Sequence, residues 1–275
     1  MNIAIVDIGS NAIKYKIFDR NNMELKDYYR EPLRLGRDVF TNGYLSDYNC
    51  EKLYSLLNRY KDIFEEQGIT TTHFIATSAL RDANNNTNII EELKDQGIDV
   101  KVISGDIEAS LLKNYDFTHE TEAIIDIGGG SVEICVKQGD SYIAKSFQLG
   151  AVRLLGYSQA DQTEAFKDLG VWLGQFSSIE SLVGLGGNLR ALMQANEISS
   201  EFDTKLFDSY AQKYNSLSND QLINDFNIPE DRIDIIPNAL NVYSYIIKET
   251  KAKVISNSFW SISDGLAQKL IQEEF

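Results

Sequence analysis

Apolar residues run almost unbroken through NIAIVDI and return in alternation through AIKYKIFD, with only the small residues GSN between them. A buried run folding back on an alternating one predicts a β-hairpin over residues 2–19. The order recurs in EAIIDIGGGSVEICVKQGD at residues 122–140, where an apolar run again ends in Asp-Ile-Gly before a small-residue turn. A third strand is expected after each hairpin, closing on Leu35-Gly36 and on Leu149-Gly150. Within residues 46–67, Leu53, Leu56, Leu57, Tyr60 and Phe64 recur at helical spacing, and residues 88–96 read as a shorter amphipathic helix.

The repetition continues downstream. HFIATSALR (73–81) and LVGLGGNLR (182–190) both predict a buried strand, a small-residue turn and a helix start carrying Leu-Arg. KVIS then occurs at 101–104 and again at 253–256, each time as a strand running into a loop. Three landmarks in the same order indicate an internal duplication. Each half is an α/β lobe of three hairpin-linked strands followed by strands alternating with helices. The expected lobes are residues 1–117 and 118–263, with a helix over 264–275 available to complete the first. A length of 275 residues exceeds a usual single core, which agrees with two lobes, and a cleft between them is the expected binding place.

Composition narrows the function. With 43% apolar and 24% charged residues, and no unbroken apolar run of about 18 residues, the chain reads as soluble, without a membrane partner. The start MNIAIVDIG lacks a basic, cleavable leader, so a cytoplasmic location is expected. A net charge of −15 argues against nucleic acid as a partner, because phosphate backbones are held by basic surfaces. Cys50 and Cys135 lack metal-ligand spacing, and Cys135 reads as a small core residue. The two histidines, His73 and His119, have no ligand-spaced neighbours and read as surface or strand residues.

The duplicated turns carry the candidate chemistry. Glycines in DIGSN and DIGGGS are expected to adopt positive φ and gather backbone N–H groups into a concave anion site, a phosphate cradle made without basic side chains. Asp7 and Asp126, at the strand ends before these turns, suit a hard cation such as Mg2+ or another divalent ion. One such turn alone would be an ordinary hairpin; two at equivalent places in a repeat favour phosphate. The glycine cluster at 184–188 reads equally as a tight strand-to-helix turn or as a phosphate site at a helix N-terminus. Glu108 falls in the first turn of a helix, where an acid ordinarily answers the helix dipole. Among the cations available, Lys14, Arg34, Arg37, Arg81, Lys145, Arg153 and Arg190, the two that follow small-residue turns are Arg81 and Arg190. A forked guanidinium there suits a phosphoryl group.

On DIGSN (7–11), ATSALRDAxN (76–85), ISGxxEA (103–109), DIGGGSxE (126–133) and GxGG (184–187), the sequence resembles the exopolyphosphatase and guanosine pentaphosphate phosphohydrolase family. That family lies within the actin, sugar kinase and Hsp70 ATPase superfamily, so the resemblance implies two actin-like, ribonuclease H-like lobes without the C-terminal HD-like helical domain of longer relatives. It implies hydrolysis of a phosphoanhydride in inorganic polyphosphate, short chains included, or in a guanosine polyphosphate, with Mg2+ assistance. Glu108 would position the attacking water and Arg81 would touch the phosphate being cleaved. Gly9, Ser10, Asn11 and Lys14 would form the first phosphate site and Gly128, Gly129, Gly130 and Ser131 the second, with Gly186, Gly187 and Arg190 adding contacts. Asp7, Asp126 and Glu133 would serve the metal.

Three positions depart from the family pattern. Ala12 stands where a hydroxyl residue is usual, Lys14 where an arginine is usual, and Ser263 where a Leu-Arg-Glu-Gly run has its arginine. These departures keep a non-hydrolytic sensor of guanosine tetraphosphate or pentaphosphate as the second reading, with a superfamily phosphotransferase third. Self-association into a homodimer is left open by the sequence.

Overall fold

The computed structural model describes residues 2–273. The chain runs β1 (Asn2–Ile8), β2 (Ala12–Asp19), β3 (Leu25–Pro32), α1 (Leu35–Asn42), α2 (Asp47–Glu66), β4 (Thr71–Ala76), α3 (Ser78–Asp82), α4 (Asn86–Asp95), β5 (Val100–Val102) and α5 (Gly105–Leu111). It continues through β6 (Thr121–Ile127), β7 (Val132–Gln138), β8 (Ser141–Phe147), α6 (Gln159–Leu173), β9 (Ser181–Leu185), α7 (Gly187–Ala195), β10 (Phe202–Asp203), α8 (Phe207–Ser216), α9 (Asn219–Asn224), α10 (Ile236–Thr250), β11 (Val254–Asn257) and α11 (Ile262–Glu273). Two units result, one of Met1–Asn114 with Ile262–Phe275 and one of Tyr115–Ser261. Residue 1 of the expected first lobe and residues 274 and 275 of the expected terminal helix lie outside the described residues.

The first unit is built on a sheet of order β3-β2-β1-β4-β5. β1 pairs antiparallel with β2 and parallel with β4, and β4 is parallel to β5. Alternation along β1 sends Ala4, Val6 and Ile8 into a core with Leu53, Leu57, Tyr60 and Phe64 of α2. Ile3 and Ile5 point the other way, against Ala267 and Ile271 of α11. The terminal helix therefore covers the face that α2 leaves bare. Lys16 of β2 shares that second face with Phe18, and its ammonium meets the Asp264 carboxylate of α11 at 2.6 Å. Both side chains are largely buried, at 4% and 16% exposure, which makes this an interior ion pair.

The second unit repeats the arrangement with one strand added, in the order β10-β11-β9-β6-β7-β8. β6 is antiparallel to β7 and parallel to β9, which is parallel to β11. Both units thus have the α/β, actin-like topology. Among the described residues no helix is long and apolar enough to cross a membrane.

Two differences from the sequence expectation have local causes. The third strand does not reach Leu35-Gly36: β3 stops at Pro32, Arg34 turns through the left-handed region (φ 55°), and Leu35 opens α1. β8 likewise stops at Phe147, before Leu149-Gly150. The units part at 114/115 rather than 117/118, because Tyr115 packs edge-on to Trp260 and Phe117 packs on Tyr142, drawing this segment into the second unit. At the other end Ser263 is buried, 3% exposed, and Asn114 donates its side-chain amide to the Gly265 carbonyl, so the chain rejoins the first unit at Ile262.

Candidate functional site

In the first unit, β1 ends by delivering Asp7, 8% exposed, to the turn Gly9-Ser10-Asn11. The turn is gripped from behind. The Gly36 amide donates to the Ser10 carbonyl at 2.8 Å and the Arg34 amide to the Asn11 carbonyl at 3.0 Å. With its carbonyl so occupied, the Ser10 amide has no backbone acceptor among the described residues, and the buried Ser10 Oγ meets no hydrogen-bond partner. A buried, unpartnered hydroxyl is unfavourable unless a ligand or water completes it.

The second unit does the same more fully. The amides of Ala151, Val152 and Arg153 donate to the carbonyls of Gly128 and Gly129, and Arg153 Nε donates to the Gly130 carbonyl at 2.6 Å. Three successive carbonyls are thereby turned inward, while the Gly129 and Gly130 amides have no acceptor among the described residues. Ser131, 3% exposed, closes this turn by accepting the Gly128 amide at its carbonyl.

Positive φ is not what requires glycine here, contrary to the sequence expectation. Neither Gly9 nor Gly128 adopts it; a Cβ at Gly9 would instead lie 2.9 Å from the Ala12 carbonyl oxygen, and at Gly128 3.3 Å from that of Ser131. The hairpins close too tightly for a side chain. The glycines behind the turns are equally constrained: a Cβ on Gly36 would come within 2.8 Å of Ser10 Cβ, and one on Gly150 within 2.2 Å of the Gly130 carbonyl carbon. The repeated Leu-Gly pairs are therefore the backing of the two turns.

Strand register sets the electrostatics at each turn. Asp7 is paired across its hairpin with Lys14, and Asp126 stands at the same place opposite Glu133. Lys14 Nζ lies 3.5 Å from Asp7 Oδ2, so the first turn has a carboxylate with a resident cation. The second has two carboxylates on one face, with Glu133 Oε1 accepting from Ser146 Oγ at 2.7 Å and only 1% exposed.

Arg81 and Glu108, 27 residues apart, meet. Ser104 caps α5 by accepting the Ile107 amide, which fixes Glu108 in the first turn at 3% exposure. Arg81, at the end of α3, donates from Nη1 to Glu108 Oε1 at 2.6 Å and to the Ile103 carbonyl at 2.9 Å, and from Nη2 to Ser78 Oγ.

The third glycine cluster bends at Gly186 (φ 77°) to start α7, and a Cβ there would lie 3.5 Å from Asp126 Oδ1. Gly187 lies under the Arg232 guanidinium, which bonds Asn188 at 3.1 Å. Below the cluster Tyr243 is fully buried. Burial, with the Asp126 charge adding, pushes its phenol far above the usual value and keeps it neutral. Arg190 is held at Nε by Asn257 Oδ1 (3.1 Å) and at Nη2 by the Ser258 carbonyl (3.2 Å), with its guanidinium 4.5 Å from the Phe259 ring.

Sequence reasoning passed over Lys16, Asn257, Phe259 and Arg232. For Lys16 a signal existed, since a lysine two residues beyond Lys14 in a strand shares its face. Nothing local marks the other three.

With both turns and the Arg81–Glu108 pair placed, comparison with known proteins is decisive. A sequence profile of the Ppx/GppA phosphatase family matches residues 22–274. The chain belongs to the Ppx/GppA phosphatase family. This Ppx/GppA chain is 28% identical, over 74% of its length, to the bifunctional 3-dehydroquinate synthase/phosphatase of Fusobacterium nucleatum, of which it covers 35%. It is 27% identical over 56% of its length to exopolyphosphatase 1 of Mycobacterium tuberculosis, of which it covers 48%. It thus spans no more than about half of these curated relatives. An exopolyphosphatase from Cytophaga hutchinsonii has the same fold (TM-score 0.87, 20% identity, 99% and 98% of the two chains covered). So does the Ppx/GppA member from Aquifex aeolicus (TM-score 0.79, 19% identity, 100% and 99% covered).

Proposed function

We propose that this chain hydrolyses the terminal phosphoanhydride of inorganic polyphosphate or of guanosine pentaphosphate. The observation that carries the reading is the Gly128–Ser131 turn, whose carbonyls are bound from behind and whose Gly129 and Gly130 amides have no acceptor among the described residues. Amides so arranged bind oxyanions without reorganisation. The Ser10 amide and hydroxyl offer the same in the first unit. Family membership and the likeness to exopolyphosphatases support the phosphoanhydride class.

In the mechanism, within the first unit, the Ser10 amide and hydroxyl bind a nonbridging phosphate oxygen and Arg81 neutralises charge on the transferring phosphoryl group. Glu108, held at Oε1 by Arg81, orients a water for in-line attack and accepts its proton. The new P–O bond forms as the bond to the leaving phosphate breaks, and the bonding pair departs with that phosphate.

For Mg2+ or another divalent ion, the donor chemistry fits at Asp126 and Glu133, two carboxylates opposed in register. Asp7, the third carboxylate expected to serve the metal, is paired with Lys14 at 3.5 Å. No group of three His, Cys, Asp or Glu side chains converges among the described residues, so a cation held at Asp126 and Glu133 would keep water and phosphate oxygens as further ligands. When bound, such an ion neutralises phosphate charge and favours departure of the leaving group.

Replacing Glu108 by Gln tests the assignment. Phosphate release from polyphosphate should fall by at least about a hundredfold while tripolyphosphate binding persists; near-normal turnover would sink it. The Lys14–Asp7 pair favours a second reading, a sensor that binds guanosine tetraphosphate or pentaphosphate without cleaving it. Binding by the unmodified chain, with no phosphate released from polyphosphate or guanosine pentaphosphate, would select that reading.

A further inference from the structure

The duplication sets a rung of three residues at equivalent places in the two sheets. In the first unit the rung reads Asp7, Lys14, Arg30 across β1, β2 and β3. In the second it reads Asp126, Glu133, Ser146 across β6, β7 and β8. A carboxylate beside two cations has become two carboxylates beside a hydroxyl. Like charges directly opposite each other in an antiparallel pair destabilise it, unless donors or positive charge lie close by.

Ser146 is such a donor, and its place is specific. Its hydroxyl reaches Glu133 Oε1 at 2.7 Å, on a side chain only 1% exposed. Because β7 lies between β6 and β8, this hydrogen bond holds the oxygen from the strand remote from Asp126. It thereby fixes the end of a side chain that would otherwise turn about three bonds. Ser146 is itself firmly placed: the next residue, Phe147, is buried and packs on the Trp172 ring at 5.4 Å. The first rung has no counterpart to this arrangement, since Lys14 stands where the copy has Glu133 and lies 3.5 Å from Asp7.

We propose that Ser146 is a positioning residue for a divalent cation at Asp126 and Glu133, its hydroxyl holding Glu133 Oε1 so that the carboxylate meets the ion without reorganising. The role rests on the reading of those two carboxylates as the cation site. Hydrogen bonds that orient a metal-binding group are worth about 10- to 100-fold in metal affinity. Ser146 touches neither ion nor phosphate; it acts through Glu133.

Mn2+ binding to the full chain, with no substrate present, tests this by electron paramagnetic resonance and calorimetry. Ser146→Ala should weaken Mn2+ about 10- to 100-fold while the number of Mn2+ bound per chain at saturation is unchanged. Ser146→Thr and Ser146→Val have the same shape and differ in the hydroxyl, so they separate hydrogen bonding from packing. Ser146→Thr should bind Mn2+ as the unmodified chain does, and Ser146→Val should be as weak as Ser146→Ala. Equal Mn2+ affinity in Ser146→Ala and the unmodified chain overturns the positioning role, as does equal affinity in Ser146→Thr and Ser146→Val. Glu133→Gln addresses the underlying reading separately, and it should lose Mn2+ binding. Undiminished Mn2+ affinity in Glu133→Gln, or no Mn2+ bound by the unmodified chain, overturns the cation site and the Ser146 role with it.

Discussion

Gly150→Ala probes the backing of the second turn. An added Cβ would sit 2.2 Å from the Gly130 carbonyl carbon, 2.4 Å from the Gly129 oxygen and 2.4 Å from the Gly130 nitrogen. Ordinary contact is 3.4–4 Å, and all three obstacles are backbone, so no side chain can swing aside. The turn must retreat by about 1 Å, carrying the Gly129 and Gly130 amides with it. Misplacement on that scale costs about a hundredfold in rate, and overpacking costs about 1–3 kcal/mol in stability. Phosphate release from polyphosphate and thermal unfolding would be measured together, with Gly170→Ala as the control. At Gly170 the nearest obstacle, at 2.4 Å, is the Tyr245 hydroxyl, the far end of a side chain that can move. Phosphate release by Gly150→Ala within about threefold of the unmodified chain would refute the view that this glycine sets the amides in place.

Two further outcomes concern stability. Lys16→Met should destabilise the chain by about 3–5 kcal/mol in denaturant unfolding, because it removes the ammonium that the largely buried Asp264 carboxylate meets at 2.6 Å, and adding Asp264→Leu should recover much of that loss; purely additive losses would refute a coupled pair. Asp38 is raised by partial burial, but hydrogen bonds from the Ser46 side chain, Asn49 and the Ser46 amide outweigh this and hold its carboxyl below the usual value. Its contribution is therefore present above the unfolded carboxylate value of about 3.9 and is lost as pH falls through the lower folded value. Asp38→Ala should lower the melting temperature at neutral pH, with the difference narrowing below about pH 4; a difference independent of pH would contradict this.

The sequence reading was strongest where the physics is local. The hairpins at 2–19 and 122–140 are visible because alternation and apolar runs are spaced by the strand period, and the turns are visible because only small residues fit them. The same reading carried the third strands too far, since Pro32 and the left-handed Arg34 end β3 before Leu35. It also attributed the turn glycines to positive φ, whereas close approach of the Ala12 and Ser131 carbonyls is the constraint.

The sequence by itself determined the duplication, the order of strands and helices in each half, and the placing of Asp-Ile-Gly turns at strand ends, all of which follow from neighbours a few residues apart. The tertiary structure decided which charges meet. Lys14 lies on Asp7 where the copy sets Glu133 opposite Asp126, Arg81 clasps Glu108, and Arg190 lies on Phe259. Lys16 finds Asp264 across 248 residues of chain. Such contacts depend on packing that brings distant segments together, and ion pairing and stacking act through space, so no local pattern encodes them.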